Sequence, residues 1–412
     1  MTGIRTPVFL LATVSAVVGC ENGLEESFTR TSIEDTTVLY SAEPQWPDSA
    51  RLVLESRIGL LEGPEEYMFS SIRAFAVDRR GNVFVADGGT STVRKFDARG
   101  EHVMTFGGEG SGPGELRFAQ GMGILPDGRI VVRDSRLLRI NVYDSTGHSV
   151  DHWPFLGHGV FGPGAGISVD SLGNVYTQVS TSSADATRPS VAIVRWTPAG
   201  QAIDTLPRPD RYDIQCPYQM LEGGMPVPQT PGPVSAFSAR GYLMGCNDTY
   251  EFDHIAFDGP VRRLTRDWSP VPISDAERDF WTKGLTADFQ SRQPDWHWSG
   301  TAVPDRKPAY RSFVGGDEGR IWVKVARPSA SAPRPERMPD FYPETFYGEA
   351  IGYDVFAANG QYLGPVNVPM GFRDQPDPVF RADTVWAVTV DDSGVSYLGR
   401  FALVGAPEDT EN

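Results

Sequence analysis

Apolar and polar residues alternate over short stretches of this chain, and the stretches return in a fixed order. Residues 75–87 read FAVDRRGNVFVAD and residues 123–134 read GILPDGRIVVRD. In each, a run rich in Val, Ile and Phe follows a turn that closes on glycine. Alternation of this kind marks half-buried strands, and glycine accepts the positive φ that tight turns require. Gly81 and Gly128 each open the second strand of a copy. Counting on from those glycines, Asp87 and Asp134 share a position, as do Asp97 and Asp144, and Gly100 and Gly147. The two copies are 47 residues apart, from Gly81 to Gly128.

Weaker copies follow at 167–176 (ISVDSLGNVY), 236–244 (AFSARGYLM), 313–323 (FVGGDEGRIWV) and 384–390 (TVWAVTV), making six units. A single four-stranded unit cannot bury both faces, so neighbours must stack, and radial stacking gives a propeller. The last unit runs out after its third strand at Leu403, while residues 52–58 (LVLESRI) stand ahead of the first unit as an orphan strand. The predicted fold is therefore all-β: a six-bladed β-propeller over 49–405, closed when the N-terminal strand covers the outer edge of the last blade.

Connection lengths are uneven. Turns such as 79–82, 126–128, 145–147 and 358–360 are tight and fall on one face, whereas the long insertions at 178–189, 207–233, 265–308 and 326–350 fall on the other. Insertions gathered on one face build a cap over one mouth of the channel, where function is expected. Between blades four and five, residues 274–292 predict a helix. Ser274 and Glu277 form a capping box, Trp281, Leu285 and Phe289 share a face, and Pro294 ends the run. Candidate ligand-binding residues on this face are Arg133, Asp134, Trp296, His297, Trp298, Arg337 and Tyr342, because aromatic faces beside guanidinium groups suit a sugar, peptide or aromatic ligand. The competing reading is that the aromatics pack the cap onto the ring. Asp87 and Asp134 likewise either face a ligand or hold loop amides.

The chain begins with Arg5 and an apolar run, PVFLLATVSAVV at 7–18, too short to span a bilayer. It ends in Val17-Val18-Gly19-Cys20, which resembles the lipobox of bacterial lipoproteins. That resemblance implies a signal peptide over 1–19, diacylation of Cys20, and a lipid anchor as the sole membrane attachment. Residues 20–48 read as a flexible acidic tether and 406–412 as an acidic tail. With 53 acidic and 37 basic residues, net charge −16, the chain is a poor partner for nucleic acid. Beyond Cys20 only Cys216 and Cys246 remain, either a disulfide pair or two buried thiols.

The motifs VFVAD ending at Asp87, VRKFD at 93–97 and FGGEGSGPGE at 106–115 resemble NHL-repeat propellers, and the span from about 45 to 405 resembles six-bladed propeller lipoproteins of bacteria. The resemblance implies a fold and a cell-envelope location, at the outer membrane or periplasmic face, and no reaction. The leading expectation is a monomeric binding module for a protein, peptide or glycan, without cofactor or metal; catalysis is the less favoured reading. One alternative is a metal-dependent hydrolase similar to gluconolactonases, with Asp87, Asp134 and Asp248 among the oxygen ligands of a divalent cation such as Ca. Another is an envelope assembly scaffold. The glycines at 108–114 precede no helix, His148 and His152 sit at a turn, and no G-x-S-x-G occurs, so nucleotide, zinc and α/β-hydrolase sites find no support.

Overall fold

The computed structural model describes residues 28–33, 36–47, 50–155, 158–159, 166–181, 190–206, 216, 219–221, 225–238, 240–257, 259–336 and 338–406. The signal peptide, Cys20, Arg337 and the end of the acidic tail lie outside the described residues.

Four strands, Ile72–Val77, Val83–Asp87, Thr92–Phe96 and His102–Gly107, form the first antiparallel sheet in chain order. Ala119–Ile124, Ile130–Asp134, Arg139–Tyr143 and Ser149–Pro154 repeat the pattern. So do Ile167–Val169, Val175–Thr181, Ser190–Trp196 and Ala202–Leu206, with His158–Gly159 added beside the second strand. A fourth sheet runs Pro233–Ser238, Gly241–Cys246, Glu251–Ala256 and Val261–Arg266. A fifth run is Tyr310–Gly315, Ile321–Val325, Gly352–Phe356 and Tyr362–Asn367. Finally Thr384–Val390 lies between the short strands Phe372–Arg373 and Val379–Arg381 and the long strand Ser396–Val404. The N-terminal strand Arg51–Ile58 pairs antiparallel with Ser396–Val404. Its Arg51 meets Asn367 in a single parallel pair that joins the last two runs.

The recurring D-x-x-G motif explains the tight turns. Asp78 accepts the backbone N–H of Arg80 and of Asn82 (2.8 and 2.9 Å), and Gly81 follows with φ +81°. Asp144 accepts from Thr146 and His148 (2.8 and 3.0 Å) ahead of Gly147, φ +84°. The aspartate side chain replaces water on the turn amides, and glycine alone takes the left-handed step without strain.

Each large buried cluster draws on two neighbouring sheets. Ala76, Phe84 and Val93 of the first sheet pack on Ile130, Val132 and Tyr143 of the second. Leu243, Phe252 and Leu264 of the fourth pack on Tyr310, Phe313 and Val323 of the fifth. Trp386, Val388 and Leu398 pack on Phe75, Val83 and Val85, so the last sheet lies against the first. Both faces of each sheet are thereby buried, as the repeat requires.

Two expectations change. The segment read as a flexible tether contains strands: Thr36–Ser41 pairs parallel with Val261–Arg266, and Phe28–Ile33 pairs antiparallel with Thr36–Ser41. Acidic composition suggested a solvated linker, but Leu39 is buried against the Gly360 turn, and Trp46 is buried where its N–H donates to the Leu363 carbonyl (2.5 Å). Those buried side chains, with the backbone pairing, hold the segment on the sheet edges. Residues 36–47 and 50–58 thus run along the outer strands of three successive sheets. The capping box is also half formed. Ser274 Oγ accepts the Glu277 N–H (3.2 Å) at the start of the helix Asp275–Arg292, but the Glu277 carboxylate turns elsewhere.

Candidate functional site

The first strands of the first and second, second and third, and fourth and fifth sheets pack against one another. A Cβ on Gly121 would stand 2.9 Å from the Ile167 nitrogen, and one on Gly315 would stand 2.3 Å from the Ser238 Cβ, so glycine permits these close approaches. Polar side chains follow on the loop-elaborated side. Gln178 Nε2 donates to Ser235 Oγ across two sheets (3.4 Å). Arg311 donates to Gln229 Oε1 (2.5 Å) and Glu349 Oε2 (2.6 Å), and Lys324 Nζ donates to Asp374 Oδ2 (2.5 Å).

Asp377 stands out among these groups. It precedes Val379–Arg381, whose end forms the tight turn, so it lies toward the elaborated side. Its side chain is exposed, yet a Cβ on Gly166, at the start of the third sheet, would sit 3.6 Å from its Oδ2. A residue of the last sheet therefore reaches the third. Part of the residue stays open to water, yet the protein packed around the rest desolvates the carboxyl and pushes it up to about 6; the Asp374 carboxylate adds to the rise, and the Gln375 amide at 3.1 Å opposes it. A carboxyl so placed can accept a ligand's N–H or O–H, pair with a cation, or carry a proton near neutrality.

The residues named from sequence have other surroundings. Asp87 is buried and accepts from Ser70 Oγ (2.8 Å), the Ser71 N–H (3.0 Å), the Gly89 N–H (3.2 Å) and Arg94 (3.2 Å). Asp134 is buried and accepts the N–H groups of Arg117, Phe118, Arg136 and Leu137 at 2.6–3.1 Å. Both carboxylates hold loop backbone, which takes the oxygens a metal or ligand would need. Asn247 is engaged in the same way, accepting from the Gly232 N–H and donating to the Tyr310 carbonyl (2.7 Å each), while Asp248 is exposed. The set Asp87, Asp134 and Asp248 does not converge. Among the described residues no three His, Cys, Asp or Glu side chains gather as metal ligands.

Arg133 is fully buried with its guanidinium 4.7 Å above the Phe155 ring, and desolvation pushes its pKa down to about 10. Trp296 is buried in a satellite core with Leu221, Val227 and Leu285, stacked on Phe289 (4.5 Å) and edge-on to Trp298 (6.4 Å). Trp298 donates to the Thr301 carbonyl (3.2 Å), and His297 points to solvent. Tyr342 belongs to a second cluster, where it, Phe346 and Tyr347 surround Phe280 at 5.8–5.9 Å. It lies on Gly284, where a Cβ would be 2.2 Å from its ring. Phe346 and Tyr347 come from the hairpin Ser329–Pro333 and Thr345–Glu349. The cap aromatics of the sequence reading thus mainly pack the helix and hairpin together. Cys216 and Cys246 are joined by a disulfide.

Sequence reasoning missed Asp377, Asp374 and Lys324. No repeat position or motif marked them, although Asp374 and Asp377 flank Gln375 and Pro376 in a stretch too polar for a strand. It also missed the buried network in which Asp354 accepts from Tyr250 (2.7 Å), Tyr362 (2.9 Å) and Arg266 (2.5 Å), joining the fourth sheet to the fifth.

No family model and no curated protein sequence matches the chain. Its structure is similar to that of a DUF4221 family member from Bacteroides vulgatus, with TM-score 0.52 and 11% identity over 88% of this chain and 99% of that one. It also resembles a putative exported protein from Bacteroides fragilis (TM-score 0.48, 12% identity, 89% and 99% covered). A gluconolactonase from Xanthomonas campestris matches more loosely (TM-score 0.38, 12% identity, 87% and 91% covered). At such identities the likeness bears on fold alone. Together with the stacked antiparallel sheets, it defines the chain as a β-propeller.

Proposed function

We propose that the chain is a lipid-anchored, extracytoplasmic propeller of six blades, closed by Arg51–Ile58, that binds a glycan or peptide beneath its insertions. The observation that carries this reading is the position of Asp377, an exposed carboxyl on the elaborated side that reaches from the last sheet to Gly166 of the third. Donor-rich ligands, such as sugar hydroxyls or a peptide amine, suit a carboxyl flanked by Gln375, Asp374 and Lys324. The helix and hairpin, inserted on the same elaborated side, are pinned by their own cores and so offer preorganised surfaces to a ligand. The extracytoplasmic location rests on the lipobox at Val17–Cys20 and agrees with a disulfide between Cys216 and Cys246. The lactonase reading loses its proposed ligands, since Asp87 and Asp134 are engaged by loop amides.

The test is a thermal-shift screen of the purified protein against glycans and peptides, repeated with Asp377→Asn. A ligand that stabilises the wild type and loses most of its effect in the variant supports the reading. Hits indifferent to the substitution, or no hits at all, overturn it. Retention in the membrane fraction that is abolished by Cys20→Ser tests the anchor separately.

A further inference from the structure

The strands Val261–Arg266 and Ile321–Val325 both end on the elaborated side, where the insertions 265–308 and 326–350 leave the ring. Between those ends, on the seam of the fourth and fifth sheets, lies an open groove of about 480 Å³. Trp268, Val271 and Val325 supply its apolar lining, and Arg266, Asp267 and Ser269 its polar lining. Trp268 and Val325 also pack against the buried cluster of Phe252, Tyr310 and Phe313, yet the indole stays only half-buried. Asp267 and Ser269 are exposed. The groove therefore offers a tryptophan face beside a carboxylate and a hydroxyl, all within reach of solvent.

Its walls are held by contacts of their own. Arg266 Nε donates to Asp354 Oδ2 (3.0 Å), its guanidinium lies over the rings of Tyr250 (4.3 Å) and Tyr362 (4.8 Å), and its Nη1 donates to the Asp267 carbonyl (2.8 Å). Tyr40, on the added strand Thr36–Ser41, donates its hydroxyl to Asp267 Oδ2 (2.8 Å), which orients that carboxylate and leaves Oδ1 to a ligand. The Val271 carbonyl accepts the Lys307 N–H (2.8 Å). A site fixed in this way loses little freedom when it binds.

The lining discriminates between ligands. An anion is repelled by Asp267, while the Arg266 guanidinium is already matched by Asp354. A cation meets Arg266 in the same wall. A wholly apolar ligand strips water from Asp267 and Ser269 without replacing its hydrogen bonds. A pyranose ring has an apolar C–H face for the indole, and hydroxyls that donate to the carboxylate and exchange hydrogen bonds with Ser269. The volume falls in the ordinary range for small-ligand sites. We propose that this groove binds a neutral sugar, stacked on Trp268 and hydrogen-bonded to Asp267 and Ser269, with Tyr40 holding the carboxylate in place. The groove shares no residue with the site at Asp377 and does not rest on that reading.

The test is saturation-transfer NMR and calorimetric titration of the purified protein with the methyl glycosides of glucose, galactose, mannose and N-acetylglucosamine and with cellobiose. Glucuronate and tetramethylammonium serve as the anionic and cationic comparisons. Wild type, Asp267→Asn, Trp268→Leu and Asp377→Asn are run in parallel, each checked for folding by circular dichroism. At least one neutral sugar is expected to bind, with saturation passed most strongly to the C–H protons of one ring face. Asp267→Asn, an exposed change that keeps an acceptor for Tyr40, is expected to weaken binding at least about fivefold, and Trp268→Leu at least about tenfold, with Asp377→Asn neutral. If Trp268→Leu does not fold, Asp267→Asn decides alone. Preference for glucuronate or tetramethylammonium over every neutral sugar, binding that ignores Asp267→Asn, or no binding at all overturns the proposal. Neutral-sugar binding that is lost in Asp377→Asn and kept in Asp267→Asn also overturns it, while leaving the reading of the Asp377 site intact.

Discussion

The Lys307 ammonium lies 3.4 Å from the Glu277 carboxylate, and both side chains are almost wholly buried beneath the cap. Lys307 also donates to Ser329 Oγ (2.6 Å) and the Arg327 carbonyl (2.9 Å), and Ser329 donates to Glu277 (2.8 Å). One charged cluster therefore ties the helix Asp275–Arg292 to the first strand of the cap hairpin. Glu349 lies 3.8 Å from the same ammonium, so it is removal of Lys307 that leaves the Glu277 carboxylate buried without its cation, at a typical cost of about 3–5 kcal/mol. Lys307→Met should lower the urea midpoint accordingly. Lys307→Met with Glu277→Leu should lose clearly less than the sum of the single changes. Additive losses would show that the two charges do not act on each other.

The repeat was legible because its signals are local. Gly81, Gly128 and their following aspartates occupy matching turns, and the alternation around them sets which side chains face the neighbouring sheet. The helix was legible from Ser274, though not its buried face: Phe280 and Gly284 are inside, while Trp281 and Phe289 are only partly so. That face is chosen by the hairpin aromatics, which lie some sixty residues further along the chain and carry no periodicity of their own. Aspartates at repeat positions drew attention, yet their regularity reflects loop architecture. Asp377 obeys no repeat, and only the arrangement of sheets brings it opposite Gly166. The added strands at Thr36–Ser41 and Phe28–Ile33 were hidden for a related reason, since edge pairing depends on the partner strand Val261–Arg266 more than on their composition.

His254 makes stability sensitive to acid. Burial, then the charges of Arg262 and Arg240, push its pKa from the ordinary 6.5 down to about 4. Between those values the unfolded chain binds a proton that the folded chain excludes. Stability therefore falls as pH drops from about 6.5 through about 4, by on the order of 3 kcal/mol in all, and levels off below. His254→Gln should abolish this component of the urea-midpoint profile between pH 7 and 4. An unchanged profile in the variant would refute the assignment.

Asp377 acts with the opposite sign. Its folded pKa, about 6, stands above the ordinary 3.8. Below 3.8 it is protonated in both states, and above 6 the fold must hold an anion that its surroundings disfavour. Its destabilising effect thus grows as pH rises from 3.8 to 6 and is complete above. Asp377→Asn should raise the Tm at pH 7.5 and leave it unchanged near pH 3.5. The group is open to water, so the gain should be small, and its direction is what decides. A lower Tm for the variant at pH 7.5 would mean that the carboxylate is structurally paired.

The disulfide between Cys216 and Cys246 spans 30 positions in sequence and fastens the approach to the fourth sheet to the end of the strand Gly241–Cys246. In the chain-entropy model, a loop of this length restricts the unfolded ensemble by about 3–4 kcal/mol at 25 °C. Cys246→Ser should lower the urea midpoint by an amount consistent with that figure. Cys216→Ser should lower it equally, and the double variant should lose no more than either single change, because all three remove one crosslink. Reductant should bring the wild type down to the level of the variants and leave the variants unmoved. A wild-type midpoint indifferent to reductant, under conditions where free-thiol titration shows the bond to be open, would mean that the crosslink contributes nothing to stability and that the Gly241–Cys246 strand is held by its sheet partners alone.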